Sequence, residues 1–311
     1  MIEINNVTKK FDEFVALDNV SLNIEKGTAY GMIGSNGAGK STLLRLLAGI
    51  YRRDNPKGDG SAILIDGQEV YDNAAVKAKV FFVNDETVQY NNYTLKELCA
   101  MYKMFYDNFS EQMFENLRGV LQLPMERKLA GFSKGMKRQA SLIFGISAKT
   151  EFLFLDEVFD GLDPTMRIVV KKMLADTMKR ENLTVILSSH NLKEIDELCS
   201  SAGLIHKGKL VFHRKLDEMK GNICKVQTAF ASQTPITSEF FKEAGLEILQ
   251  YDVTGSVIHI IAKGEAQELR GKISAFNPLI LDILPLSLEE VFVHELDTLG
   301  YEYNRDVFSG M

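Results

Sequence analysis

The eight residues 34–41 constrain the fold of this chain more than any other segment. They read Gly-Ser-Asn-Gly-Ala-Gly-Lys-Ser and complete the pattern GxxxxGK[ST]. An apolar run over 28–33 precedes them, and residues 42–50 place leucines on one helical face. The order strand, glycine-rich turn and helix is typical of a phosphate-binding loop. A chance match occurs in roughly one chain in a hundred of this length.

The residue types in this loop suit a nucleoside triphosphate. Backbone N–H groups hold phosphate oxygens, and glycines let the main chain curl closely around them. We expect the ammonium of Lys40 to reach the β- and γ-phosphates and the hydroxyl of Ser41 to ligate Mg²⁺. The helix N-terminus adds partial positive charge. The predicted cofactor-binding residues of the loop are Gly34, Ser35, Asn36, Gly37, Ala38, Gly39, Lys40, Ser41 and Thr42.

Two later apolar runs each end in polar side chains. Residues 152–155 run into Asp156 and Glu157, and residues 184–187 run into a serine pair and His190. In open α/β sheets, ligands lie at the carboxyl ends of the strands. We therefore expect Asp156 to hold the magnesium and Glu157 to polarise the attacking water.

Composition excludes several classes of protein. The net charge of −6 gives no basic surface for nucleic acid, so no nucleic-acid partner is expected. The three cysteines, Cys99, Cys199 and Cys224, are far apart in sequence and are predicted to be reduced thiols in a cytoplasmic protein. No apolar run reaches the roughly 20 residues needed to span a bilayer, and the first residues read as a strand rather than as an export signal.

The order of elements predicts an α/β fold with two domains. Short alternating strands, with 1–7 and 20–24 among them, form a small β layer beside the phosphate loop, and the period becomes helical from 93 to about 149. The buried runs at 152–155 and 184–187 are separated by a helical stretch over 164–180, which favours a parallel sheet. After residue 219, four strands and two helices predict a small α+β domain.

These motifs resemble those of the nucleotide-binding subunits of ATP-binding cassette (ABC) transporters, in the family's order. The resemblance covers about the first 215 residues. It implies a P-loop NTPase fold with a RecA-like parallel core, an N-terminal antiparallel β layer and a helical subdomain. The implied domains are 1–218, binding ATP and including the helical subdomain at about 86–150, and the accessory domain 219–311. The matching residues are Phe11 as the adenine-stacking aromatic, 34–41 as Walker A, 132–136 as the signature, 152–157 as Walker B, 161–163 as the D-loop and His190 as the switch histidine.

The resemblance implies a mechanism shared between two subunits. Catalysis would involve Glu157, His190 and Lys40. Ser133 caps a predicted helix, and in the family its hydroxyl and the amide of Gly135 contact the γ-phosphate held by the opposite subunit. Asp163 would join the nucleotide contacts. The chain would then form a head-to-tail dimer with a second ABC subunit, a homodimer by expectation, and use ATP and Mg²⁺.

The implied partner is an integral membrane permease that holds this chain at the inner face of the cell membrane. The ending 285–292 resembles that of subunits serving ABC-2 type exporters, which predicts export; a plain amphipathic helix explains it equally well.

Three positions depart from the family pattern. The signature has Lys134 and Met136 in place of glycine and glutamine. Asp85 occupies the position of the glutamine that links the nucleotide magnesium to the membrane partner. A carboxylate can still ligate magnesium, so Asp85 joins Ser41 and Asp156 as a predicted metal ligand.

Two alternative functions stay open at this point. The chain could be a soluble ABC-type ATPase that works as a regulatory or mechanical clamp without a permease. It could also be a nucleotide-sensing partner of another cassette, which Asp85 and the altered signature make conceivable. Four intact residues argue against a pure sensor: Lys40, Asp156, Glu157 and His190.

Overall fold

The computed structural model describes residues 1–55, 58–84, 90–220, 223–231 and 237–292. The chain divides into two compact units, Met1–Arg214 and Lys215–Met311. No helix within the described ranges is both long enough and apolar enough to cross a bilayer.

The first sheet of the amino-terminal unit has four strands in the order β2-β1-β4-β5, with antiparallel pairing. Its two long strands extend beyond the predicted 1–7 and 20–24. Irregular register and positive φ angles at Asn6 and Asn19 interrupt the two-residue alternation, so the sequence pattern marks only part of each strand. The strands are β1 (Ile2–Phe11), β2 (Phe14–Ile24), β4 (Ala62–Ile65) and β5 (Gln68–Glu69).

The second sheet has six strands in the order β10-β9-β3-β8-β7-β6, and the five from β9 to β6 pair in parallel. The predicted parallel sheet is therefore present, although no sequence pattern indicated β6, β9 and β10 as strands. Every residue of β3, β7 and β8 is buried, which accounts for their continuous apolar runs. The strands are β3 (Ala29–Ile33), β6 (Val80–Val83), β7 (Phe152–Asp156), β8 (Thr184–Ser189), β9 (Ser201–His206) and β10 (Lys209–Lys215).

Polar caps define where the helices of this unit begin. Thr94 and Glu97 form a capping box, Ser133 caps the fifth helix, and Asp163 with Pro164 opens the sixth. Three helices lie in the stretch predicted to be helical. The helices are α1 (Lys40–Leu47), α2 (Ala74–Lys77), α3 (Leu95–Phe105), α4 (Glu111–Val120), α5 (Lys134–Ser147), α6 (Pro164–Glu181) and α7 (Leu192–Leu198).

The carboxy-terminal unit contains a four-stranded antiparallel sheet, and two of its helices pack on one face of that sheet. Its four strands and these two helices are the elements that the sequence predicts. The strand order is β12-β13-β11-β14. Val226 and Ile260 on the sheet pack with Phe241, Leu269 and Ile273 of the helices in one buried cluster. The elements are α8 (Leu216–Lys220), β11 (Ile223–Ala229), α9 (Ser238–Glu243), β12 (Glu247–Thr254), β13 (Val257–Lys263), α10 (Ala266–Ser274) and β14 (Ile280–Pro285), followed by a helical turn at 288–292.

Candidate functional site

The carboxyl ends of three neighbouring parallel strands meet at the phosphate loop. Strand β8 lies between β3 and β7, and its register sets Ser188 beside Asp156 and Ser189 beside Ile33. The loop follows Ile33 directly, so the sheet brings the loop and the acids of β7 to the same edge.

The backbone of the loop has the conformation that its glycines permit. Gly37 has φ +79° and Gly39 has φ +114°. A Cβ at Gly39 would lie 2.7 Å from the carbonyl oxygen of Ala16 on β2, so the first sheet closes against the loop at this point. Ser35, Asn36 and Gly37 are exposed at the tip, whereas Gly34 and Ala38 are buried. The remaining loop residue, Thr42, lies half-buried in α1.

Lys40 is almost fully buried, with 4% of its surface exposed. Its ammonium donates to the carbonyl oxygens of Gly34 at 2.6 Å and Ser35 at 3.2 Å, and lies 3.4 Å from Oε1 of Glu157. A buried ammonium needs such partners to offset its lost hydration. These contacts hold the ammonium of Lys40 against the backbone of the phosphate loop.

Asp156 is the centre of a buried oxygen cluster and is 5% exposed. Its Oδ1 accepts hydrogen bonds from the hydroxyls of Ser41 at 3.0 Å and Ser188 at 2.6 Å. Carboxylate and hydroxyl oxygens are the donor types that Mg²⁺ binds, so Ser41 and Asp156 fit the predicted metal. The third predicted ligand, Asp85, lies outside the described residues.

Glu157 has an unusual backbone conformation for a side chain of its size. Its φ is +48°, and its N–H donates to both the carbonyl oxygen and the Oγ of Ser188, at 3.2 and 3.1 Å. These bonds fix the residue where its carboxylate can face Lys40. Residues in this conformation concentrate at functional sites.

Glu157, Asp160 and His190 form a small group of titratable side chains. One ligand atom from each lies within 4.8 Å of the other two. Nδ1 of His190 is buried and has no hydrogen-bond partner among the described residues. His190, at the carboxyl end of β8, therefore lies against the acidic side chains that follow β7.

The segment after His190 is anchored by a buried carboxylate. Oε2 of Glu194 accepts a hydrogen bond from the hydroxyl of Ser189 at 2.6 Å, and Oε1 lies 3.7 Å from Nη1 of Arg167 on α6. Burial raises the pKa of Glu194 above its ordinary value, although Ser189 opposes this change. The strand end that carries His190 is thus tied to the helix that follows the predicted D-loop.

Phe11 lies at the end of β1, where its ring is exposed. The ring of Tyr51 meets it edge-on with a centroid distance of 5.4 Å, and the ammonium of Lys9 lies 5.1 Å from its centroid. Because Phe11 is 40% exposed, part of its ring can contact a base.

The predicted signature residues make local hydrogen bonds. The hydroxyl oxygen of Ser133 accepts a hydrogen bond from the N–H of Met136 at 3.1 Å. A Cβ at Gly135 would lie 3.0 Å from the carbonyl oxygen of Gly161. Asp163 accepts the N–H of Met166 at 3.0 Å. Among the described residues, no hydrogen bond or ion pair joins these three residues to the phosphate loop.

Sequence reasoning missed three residues that touch the site. Ser188 bonds Asp156 and Glu157, Asp160 lies beside His190, and Arg138 donates to the backbone of Glu157 at 2.8 Å. Ser188 had a signal, because it directly precedes Ser189 and His190 at a strand end. No sequence signal indicated Arg138, since only the tertiary packing of α5 brings it to the turn that follows β7.

Comparison with known proteins gives a family for this chain. A family model described as ABC transporter matches residues 17–160. The lantibiotic transport ATP-binding protein SrtF of Streptococcus pyogenes is 30% identical over 230 residues, which are 70% of this chain and 92% of SrtF. The chain belongs to the ABC transporter family. The ABC transporter ATP-binding protein YtrB of Bacillus subtilis is 29% identical over 293 residues, 94% of this chain and 97% of YtrB.

A solved structure supports the fold. The dimeric structure of MJ0796, a bacterial ABC transporter cassette, superposes with a TM-score of 0.62 at 18% identity, covering 70% of this chain and 99% of that one. The predicted fold class, the ABC ATPase fold with a parallel sheet and an antiparallel layer, is confirmed. As a member of the ABC family, the chain is the ATP-binding subunit of a transporter and hydrolyses ATP.

Proposed function

We propose that this chain, with Mg²⁺ as cofactor, powers export through a separate membrane permease, as a subunit of ABC-2 exporter type. The observation that carries the catalytic part is the convergence of Lys40, Ser41, Asp156 and Glu157 at one sheet edge. In this proposal residues 1–218 form the ATP-binding domain, and residues 219–311 form an accessory domain.

The chain's own groups would divide the reaction between them. Lys40 and the loop amides hold the triphosphate, and Phe11 stacks on the adenine. Ser41 and Asp156 hold Mg²⁺, which neutralises phosphate charge when bound. Glu157 accepts a proton from the attacking water, and His190 contacts the γ-phosphate from the adjacent strand end. Asp85 is proposed as a further magnesium ligand.

We propose that two copies of the chain associate head to tail. The hydroxyl of Ser133 and the N–H of Gly135 lie at the N-terminus of α5, a place with partial positive charge. Within the described part of the chain they make no hydrogen bond to their own phosphate loop, and a second copy's γ-phosphate is the anion we expect them to contact. Asp163 would lie at the same junction. The cassette MJ0796 is dimeric in its solved structure, which supports this association.

We place the contact with the permease in an aromatic groove of the amino-terminal unit. This cavity of about 400 Å³ is lined by Phe81, Phe82, Tyr102, Phe144 and others, and it reaches Asn84, which directly precedes Asp85. The family's glutamine at position 85 links the magnesium to the membrane partner, so a permease segment seated here would be close to that link. Docking in this way would hold the chain at the inner face of the cell membrane.

The direction of transport, export, is proposed from the sequence alone. The ending 285–292 and the variant signature residues Lys134 and Met136 resemble those of ABC-2 exporter subunits. SrtF carries lantibiotic transport in its name, and transport of a comparable cargo by this chain is part of the proposal.

The test is reconstitution of the full chain in vesicles with a membrane permease that co-purifies with it. We expect Mg²⁺-dependent ATP hydrolysis that the permease stimulates. Ile50, which lines the groove and is 54% exposed, gives a docking variant: Ile50→Glu should keep basal hydrolysis and lose stimulation. Val120→Glu, at an exposed apolar position outside the groove, is the matched control and should keep both. Stimulation that survives Ile50→Glu would contradict the docking site, and hydrolysis without any permease association would favour a soluble clamp.

A further inference from the structure

A buried arginine joins the signature helix α5 to the backbone of the turn that follows β7, residues 157–160. Arg138 lies on α5 and is only 3% exposed. Its Nη1 donates to the carbonyl oxygen of Glu157 at 2.8 Å and also to that of Asp160. The guanidinium therefore holds both ends of the turn that follows β7.

The turn needs such support because Glu157 is in a left-handed conformation. A φ of +48° is unfavourable for a non-glycine residue because its Cβ crowds the following carbonyl oxygen. Strain of this kind persists where surrounding groups fix the residue. Ser188 fixes the N–H of Glu157, and Arg138 fixes its carbonyl oxygen, so the two peptide groups that flank its Cα are both held.

The direction of the Glu157 carboxylate follows from this backbone. Rotation of either flanking peptide would move the Cβ and carry Oε1 away from its position 3.4 Å from Lys40. A general base works only within hydrogen-bond reach of the water it activates, and misplacement by about 1 Å can cost roughly 100-fold in rate. Loss of the hydrogen bond from Arg138 would therefore displace the carboxylate of Glu157.

We propose that Arg138 is a positioning residue for Glu157, acting in turnover rather than in nucleotide binding. The inference rests on the proposed function, in which Glu157 is the general base. The helix α5 begins immediately after Ser133, so one rigid element carries the predicted contact to the second copy's nucleotide and the support of the chain's own base. Arg138 follows Ser133 by five positions, which correspond to about 7.5 Å along a helix axis.

A merely structural role is the alternative, and it predicts a different pattern of kinetics. If Arg138 only stabilises the fold, its replacement lowers activity by the same factor whether or not Glu157 is present. If Arg138 acts through Glu157, the two substitutions are not additive. A double-mutant cycle separates these cases.

The experiment measures kcat and the KM for ATP in the full chain with Mg²⁺. It compares Arg138→Met and Arg138→Lys with the wild type, and both again in a Glu157→Gln background, where residual hydrolysis is followed over hours. We expect each Arg138 variant to lower kcat about tenfold or more while KM changes less than about twofold. In the Glu157→Gln background, we expect no further decrease beyond about twofold.

Lys137→Met is the matched control, because Lys137 is the neighbouring basic residue of α5 and donates to Asn91 rather than to the turn that follows β7. Its kcat should equal that of the wild type. Thermal unfolding of each variant shows which are folded, and Arg138→Lys completes the cycle if Arg138→Met does not fold.

Two results would overturn the inference alone: an unchanged kcat in both Arg138 variants, or an equal decrease in both backgrounds. A wild-type chain without ATPase activity, or a Glu157→Gln chain with full activity, would instead refute the proposed function on which it rests.

Discussion

The ammonium of Lys40 lies 3.4 Å from the carboxylate of Glu157, although 117 positions separate them in the chain. The cation predicted to hold phosphates and the base predicted to act on water are therefore neighbours. Both are attached to elements of one sheet edge, and neither depends on a flexible connection for its position. This pairing brings the chemistry of the loop and of the strand end into one site.

Replacement of Lys40 tests the phosphate-binding role of the loop. We expect Lys40→Ala to weaken ATP binding about 100-fold or more, because charge-assisted hydrogen bonds contribute about 1.5–3 kcal/mol each. Equilibrium binding of a fluorescent ATP analogue measures this loss. Lys193→Ala, at an exposed lysine after the predicted switch histidine, is the control and should bind as the wild type does. Unchanged affinity of Lys40→Ala would remove the loop from this role.

Ser188 tests the metal site without replacing a predicted ligand. Its hydroxyl orients Asp156 through a 2.6 Å hydrogen bond. Loss of such outer-sphere support lowers metal affinity about 10- to 100-fold. We expect Ser188→Ala to raise the Mg²⁺ concentration for half-maximal hydrolysis by about tenfold, whereas Ser200→Ala, whose hydroxyl bonds the carbonyl of Ala29, should not. Identical Mg²⁺ titrations for the two variants would contradict the assignment of Asp156.

Gly39 tests the close contact between the first sheet and the loop. Gly39→Ala places a Cβ 2.7 Å from the carbonyl oxygen of Ala16, in addition to the strain at φ +114°. Gly67 also has positive φ, +75°, but no atom lies within 4 Å of its Cβ position. We expect Gly67→Ala to lower the free energy of unfolding by about 1 kcal/mol, from strain alone, and Gly39→Ala to lower it by more. Urea unfolding measures both, and equal losses would show that the contact does not matter.

Much of the site was predictable because its residues follow local rules. The loop at 34–41 and the acids at the end of β7 are contiguous motifs, and strand ends in a parallel sheet share an edge. Strand length was harder to predict, since Asn6 and Asn19 adopt positive φ and break the alternation. Arg138 could not be found at all, because its role arises from the packing of α5 against a turn 19 residues away. Asp85 lies outside the described residues, and its predicted role stays a prediction.

The most direct test of the account is ATP-induced dimerisation of Glu157→Gln. This change keeps the loop, the metal ligands and Ser133 intact but removes the carboxylate that would accept the proton from water. We predict that size-exclusion chromatography with ATP and Mg²⁺ gives a stable dimer, and that the same protein without nucleotide, or with Lys40→Ala added, elutes as a monomer. A Glu157→Gln chain that binds ATP and stays monomeric would contradict the shared ATP site.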